Sequence, residues 1–210
     1  MALVRRWRRP RAARAFPRTE ARGLGGAAGD VHWHRVVATT ARQSTRSTPV
    51  LKRFGGGTLA AAVALAVYLN SLLIPFVYDD HDTVVANPSI IDLSNIRFVL
   101  THSPFRPVVN ASYAIDHSIW GHTPVGFHLT NMLLHAGVVL LLFLFLRRAC
   151  SDARVRAGDA TRQRPMDDWI AYGGALVFAV HPLMTEAVAY ISGRSELLCG
   201  LFFLSTLLLA

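Results

Sequence analysis

The stretch TLAAAVALAVYLNSLLIPFV, residues 58–77, decides the fold. Twenty residues pass without a charge, and the polar groups among them are Thr58, Asn70 and Ser71. A helix of that length is about 30 Å long, the thickness of a bilayer's hydrocarbon core. Three further apolar stretches follow. Residues 127–146 end in LLLFLFL and are closed by Arg147 and Arg148, residues 169–190 open on Trp169 and run through IAYGGALVFAV, and residues 197–210 stay apolar until the sequence stops. The last stretch is shorter than the roughly 20 residues of a crossing. The chain therefore reads as cut inside a fourth span.

A chain of 210 residues that is 52% hydrophobic and 17% charged reads as a membrane protein, not a soluble domain. Its net charge of +9 is unevenly placed, because 13 of the 22 Lys and Arg residues, against two acids, precede Gly55. That asymmetry excludes a uniformly basic nucleic-acid-binding domain. Residues 1–55 lack apolar periodicity and read as a disordered basic cytoplasmic tail, leaving residues 56–210 as the membrane part. Residues 78–126 hold two arginines, Arg97 and Arg106, whereas residues 147–168 hold six. The positive-inside rule then puts the N-terminus and residues 147–168 in the cytoplasm. Residues 78–126 and the turn near 191–196 share the opposite, extracytoplasmic face. Cys150 and Cys199 form no CxxC pair and read as small packed residues.

The first extracytoplasmic loop carries Asp79, Asp80, Asp82, Asp92 and Asp116, and opens on YDDHD where the first span leaves the lipid. Desolvation and repulsion between neighbours raise a carboxylate's proton affinity, which suits Asp79 or Asp80 to act as a general base. The competing reading is a pair of solvated boundary charges. Asp92-Leu-Ser94 is placed to cap a short helix through Leu100, and Pro107 to start a second through Val108, Tyr113 and Ile119. Both would lie along the membrane surface. Between them, Arg106 either grips a phosphate bidentately or pairs with Asp79, Asp80 or Asp116.

Within the second span His128, Asn131 and His135 recur at i, i+3 and i+7, one helical stripe that must face protein. They either bond helices together or line a wet cavity. No third ligand matches the histidine spacing, so no metal site is expected there. His181-Pro182 interrupts the third span and predicts a kink near the extracytoplasmic face. Glu186 and Arg194 follow; they either neutralise one another or join Asp79, Asp80, Arg106, His128 and His181 at the same surface.

Four strings, YDDHDTVVANPSI, FRPVVNASYAID, GHTPVGFHLTNMLLH and FAVHPLMTEAVAYISGRSELL, occur in that order. Together they resemble the N-terminal membrane domain of the TMTC-type proteins, transmembrane and tetratricopeptide-repeat proteins related to the GT-C-fold O-mannosyltransferases. The resemblance covers about residues 74–210 and implies an all-α polytopic bundle. The part present would be its first three to four transmembrane helices, with short amphipathic helices in the first loop. It implies transfer of a sugar, mannose in the best-known members, from a polyprenyl-phosphate donor to Ser or Thr of an acceptor protein on the extracytoplasmic side. Carried across, Asp79 or Asp80 is the base, Arg106 and Arg194 offset charge on the lipid phosphate, and no cofactor or metal is needed. The compact first loop looks closer to bacterial relatives, so a bacterial inner membrane is expected before an endoplasmic reticulum. The family's further spans and tetratricopeptide repeats are missing from this sequence, so the piece by itself is expected to be inactive.

Two readings from other classes compete. An ion- or proton-coupled transporter would relay charge through His135, Glu186 and Asp80. A non-catalytic membrane anchor would leave all binding to a repeat region.

Overall fold

The computed structural model describes residues 50–159 and 165–210, with side chains from Gly55 onward. Residues 1–49 of the tail expected over 1–55 lie outside the described residues, as do Arg162 and Arg164 of the basic loop. From Val50 the backbone is already helical. The helices are α1 (Val50–Val67), α2 (Ile96–His102), α3 (Pro107–Trp120), α4 (Pro124–Arg156), α5 (Pro165–Ala179), α6 (Met184–Ala189) and α7 (Arg194–Leu209). Among the described residues there is no strand.

Three helical segments are long and apolar enough to cross a membrane: Gly55–Leu73, Pro124–Arg156 and Ile191–Leu209. This is an integral membrane protein with an all-α polytopic fold. Pairwise contacts give the helix directions. Gly57 of α1 lies on Phe143 of α4, and the carbonyl of Ile74 beyond α1 meets His128, so α1 and α4 are antiparallel. Arg147 of α4 meets Asp168 of α5, and His135 meets Ala179, so α5 also opposes α4. Helix α7 starts beside Asn131 and ends with Leu208 at Arg148, parallel to α4.

Small residues allow this packing. Ala60 and Ala64 of α1 and Ala171, Ala175 and Ala179 of α5 are buried against Val139 and Phe143 of α4. The alanines of α5 recur every four residues, one face of a helix, and small faces let backbones approach where lipid supplies no hydrophobic drive. A Cβ on Gly57 would sit 2.6 Å from the Phe143 ring. At the other end of the bundle, two ion pairs staple α4 to α5: Arg147 to Asp168 at 2.7 Å and Arg154 to Asp167 at 2.7 Å.

Several expected boundaries move. The second span is a 33-residue helix, about 50 Å long, so its last turns project past a ~30 Å hydrocarbon core. The third span, expected over 169–190, stops as a helix at Ala179. Pro182 has no N–H to donate and ends the ladder; residues 180–183 turn, and a short α6 follows. The fourth stretch is helical from Arg194, three residues earlier than expected. Asp92 does not cap α2: its carboxylate is turned onto the Ser94 N–H (2.9 Å) and hydroxyl (2.6 Å), and Asn95 caps instead by accepting from the Phe98 N–H. Helix α3 starts at Pro107 as the sequence predicts. Cys150 is half-buried and Cys199 exposed, so the packed-residue reading fails for Cys199.

Candidate functional site

The two acids after the first span face different surroundings. Tyr78, just before them, is a non-glycine residue at φ 46°, a left-handed conformation that costs energy and reorients the chain. Asp80 is fully buried. Its Oδ1 accepts from the Ser192 N–H (2.9 Å) and hydroxyl (2.8 Å), and its Oδ2 from the Val77 N–H (3.2 Å). Asp79 is exposed. Its N–H donates to the Tyr190 hydroxyl (3.0 Å), and its carbonyl accepts from the Thr83 hydroxyl (2.8 Å). Thr83 Oγ1 also meets Ser192 Oγ at 2.9 Å, so the start of the first loop is laced to Tyr190–Ser192.

Below this lacing, Arg194 is buried at 0% exposure. Its Nε donates to Asn131 Oδ1 (2.7 Å), Nη1 to Ser112 Oγ (3.2 Å) and Nη2 to the Phe127 carbonyl (2.9 Å). Nη2 also lies 2.6 Å from Asp116 Oδ2, and the guanidinium carbon stacks 4.6 Å from the Tyr113 ring centre. One side chain thus joins α3, α4 and α7. Its counter-ion is Asp116, while Glu186 is exposed and elsewhere. Burial pushes the Asp116 carboxyl up, against the pull of Arg194. Burial likewise pushes the Tyr113 phenol up to about 12; its hydroxyl donates to the Ile191 carbonyl at 3.0 Å.

The polar stripe of α4 binds backbone. His128 Nε2 donates to the Ile74 carbonyl (3.0 Å) and His135 Nε2 to that of Ala179 (3.1 Å), an acceptor left over where α5 ends. The Asn131 amide nitrogen reaches the Tyr190 carbonyl at 3.1 Å. His181 is exposed, its carbonyl 3.4 Å from the Tyr68 hydroxyl. Gly193 permits the close return beneath Tyr190, since a Cβ there would lie 2.6 Å from the Glu186 carbonyl oxygen.

A cleft of about 170 Å³ opens between the His81–Asn87 segment and α2–α3, lined by Asp82, Thr83, His102, Arg106, Asn110 and Tyr113 among others. Its floor is a closed amide network in which Asn87 Nδ2 donates to Asn110 Oδ1 (2.8 Å) and Asn110 Nδ2 to Ser89 Oγ (2.9 Å). Arg106 is exposed and makes no ion pair among the described residues. It also lines a second, apolar groove of about 270 Å³ with Phe105, Val108, Leu198 and Phe202. One arginine therefore stands where a polar cleft meets an apolar groove on the membrane-crossing helix α7.

Of the residues singled out in the sequence, Asp79, Asp80, Arg106, His128 and Arg194 gather at one end of the bundle; His181 and Glu186 lie exposed on the interrupted segment. Ser192, Thr83, Asn110 and Tyr113 were missed. Ser192 stands in the SGR string, and Asn110 and Tyr113 share a face of α3 at i, i+3, but neither cue names a partner.

Fold and site together define a polytopic membrane protein with a polar cleft, flanked by acids and an arginine, at the end of its bundle. No family model matches the chain, and no solved structure matches it. It is 34% identical over 163 residues to mouse Protein O-mannosyl-transferase TMTC2, covering 71% of this chain and 18% of the relative. It is 33% identical over 174 residues to human Protein O-mannosyl-transferase TMTC4, 76% of this chain and 23% of the relative. Against Drosophila melanogaster Protein O-mannosyl-transferase Tmtc1 the figures are 32% over 169 residues, 74% and 18%. The chain is a TMTC-like protein, and it spans less than a quarter of the length of these curated relatives. They are animal proteins and lend nothing to the bacterial placement drawn from the compact loop.

Proposed function

We propose that this chain is part of a membrane glycosyltransferase that moves a sugar, mannose by analogy with its relatives, from a polyprenyl-phosphate donor to a protein Ser or Thr hydroxyl on the extracytoplasmic side. The observation that carries it is the split between two neighbouring acids, Asp79 exposed and Asp80 closed over by Ser192 and Val77, in the segment whose Asp82 and Thr83 line the Arg106 cleft. Asp79 is the base. Its carboxylate takes the hydroxyl proton as the acceptor oxygen attacks the anomeric carbon, and the bond from that carbon to the phosphate oxygen breaks, its electron pair leaving with the lipid phosphate. Base catalysis of this kind contributes roughly 10²–10⁴ in rate. Arg106 offsets the charge gathering on the phosphate, while the isoprenoid tail lies along the Phe105–Phe202 groove. Asp80 is a positioning residue that holds the segment bearing Asp79.

The relay alternative needs Asp80, His135 and Glu186 on one path. Asp80 is capped, His135 bonds the Ala179 carbonyl and Glu186 is exposed. The test uses a full-length frame carrying Asp79→Asn or Asp80→Asn, assayed for sugar transfer from a radiolabelled lipid donor. Asp79→Asn is expected to abolish transfer in a folded protein, and parental rates in both variants would remove the base from the mechanism.

A further inference from the structure

The polar groups of the cleft are of two kinds. Those of its floor are spent on one another: Asn87 donates to Asn110, and Asn110 Nδ2 donates to Ser89 and to the Val99 carbonyl. His102, Ser103 and Arg106 line the same cleft, and among the described residues their side chains hold no hydrogen bond and no ion pair. The His102 ring meets only the Phe98 ring, edge to face, at 5.3 Å between centres. Three donors face one space with their hydrogen-bonding capacity unused.

The sequence His-Ser-Pro-Phe-Arg at 102–106 brings them together. Helix α2 stops at His102 because Pro104 disfavours the helical conformation at the residue before it, Ser103. Residues 103–106 then close a β-turn in which the Arg106 N–H donates to the Ser103 carbonyl at 3.0 Å, with proline in the second position that its fixed φ suits. The first and fourth residues of such a turn lie within about 7 Å of each other, so Ser103 and Arg106 are neighbours. Phe105 is 97% exposed and lines the apolar groove with Phe202 of α7. The Asn110–Val99 bond ties α3 to α2 on either side of the turn, which holds the donors in place before a ligand arrives. Across the cleft, on the His81–Asn87 segment, stands the Asp82 carboxylate, which accepts hydrogen bonds and donates none.

We infer that His102 and Ser103 join Arg106 in a cradle for the phosphate of the polyprenyl-phosphate donor, an inference that rests on the transfer reading above. The imidazole N–H and the hydroxyl each donate one bond, and the guanidinium can donate two. The acceptor wall at Asp82 suits sugar hydroxyls and repels phosphate, so the donor has one orientation: tail in the groove, phosphate on the turn, sugar toward Asp82. When the bond from the anomeric carbon to the phosphate oxygen breaks, the phosphate passes from one negative charge to two. Donors fixed at that point therefore hold the transition state more tightly than the intact donor, and act on kcat.

The experiment takes a full-length frame in detergent and measures polyprenyl phosphate binding by calorimetry beside sugar transfer. Inorganic phosphate and unphosphorylated polyprenol are the comparison ligands, and the parent is expected to bind polyprenyl phosphate more tightly than either. His102→Phe, which keeps the ring against Phe98, and Ser103→Ala should each weaken that binding about tenfold, as for one lost bond to a charged group, and lower kcat more than they raise KM. Ser103→Thr keeps the hydroxyl and should match the parent. Arg97→Gln, on α2 and outside the cleft lining, should change neither quantity. Polyprenyl phosphate binding that is equal in the parent, His102→Phe and Ser103→Ala overturns the cradle even where transfer persists. Inorganic phosphate bound as tightly as the lipid overturns the lipid assignment. A parent that transfers no sugar, yet loses polyprenyl phosphate binding in both variants, keeps the cradle and removes the transfer reading alone.

Discussion

Replacing Arg194 by methionine separates a packing role from a substrate role. The side chain is fully buried, and its removal takes donors from Asn131 Oδ1 and the Phe127 carbonyl and leaves Asp116 with only the Thr130 hydroxyl at 2.7 Å. Deleting one partner of a buried ion pair costs about 3–5 kcal/mol, because the remaining charge stays in a medium that cannot solvate it. Losing one partner of a neutral bond costs about 1 kcal/mol. Because Met retains much of the apolar bulk, the expected loss stays near the ion-pair range. Adding Asp116→Asn should recover about 1–3 kcal/mol, since the stranded group is then neutral. Unfolding in mixed micelles at rising denaturing detergent, read by tryptophan fluorescence with Trp120 on Gly126 as a local reporter, measures all four corners of the cycle. A single-variant loss below 1 kcal/mol, or strict additivity between positions 116 and 194, would refute the keystone role.

Arg106→Met should change stability by less than about 0.5 kcal/mol, as for exposed unpaired side chains, yet abolish transfer in a full-length frame; retained transfer argues against the phosphate contact. Ser192→Ala removes one donor to the buried Asp80 carboxylate and should cost about 1–3 kcal/mol in detergent unfolding, whereas Asp79→Asn should be neutral there. The Tyr113 pKa is raised from 10.0 to about 12, so the stability it contributes is complete below pH 10 and falls away as pH rises through 12. Tyr113→Phe should flatten that alkaline loss, and an unchanged slope between those pH values counts against its burial. Gly57→Leu should prevent α1 from seating on α4, read as loss of helical signal and increased protease sensitivity; a normally folded product contradicts the packing.

The sequence by itself determined the membrane class, the presence of an apolar first span (read at 58–77, found at Gly55–Leu73), the start of α3 at Pro107 and the break at Pro182. Each is a local property: an uncharged apolar run, a residue lacking an N–H. The stripe His128, Asn131, His135 was likewise legible as protein-facing, because a helix has one geometry. What each polar group meets was not legible. Asp79 and Asp80 are chemically identical neighbours, and Arg106 and Arg194 differ only in context. The tertiary structure separates them because burial and counter-ion choice depend on groups 78 to 112 residues away, such as Asp116 for Arg194 and Ser192 for Asp80. The close return at Gly193 and the small faces of α1 and α5 decide those meetings. Only packed backbones fix distances of 3 Å between such remote positions, and charge pairing and hydrogen bonding act only at that range.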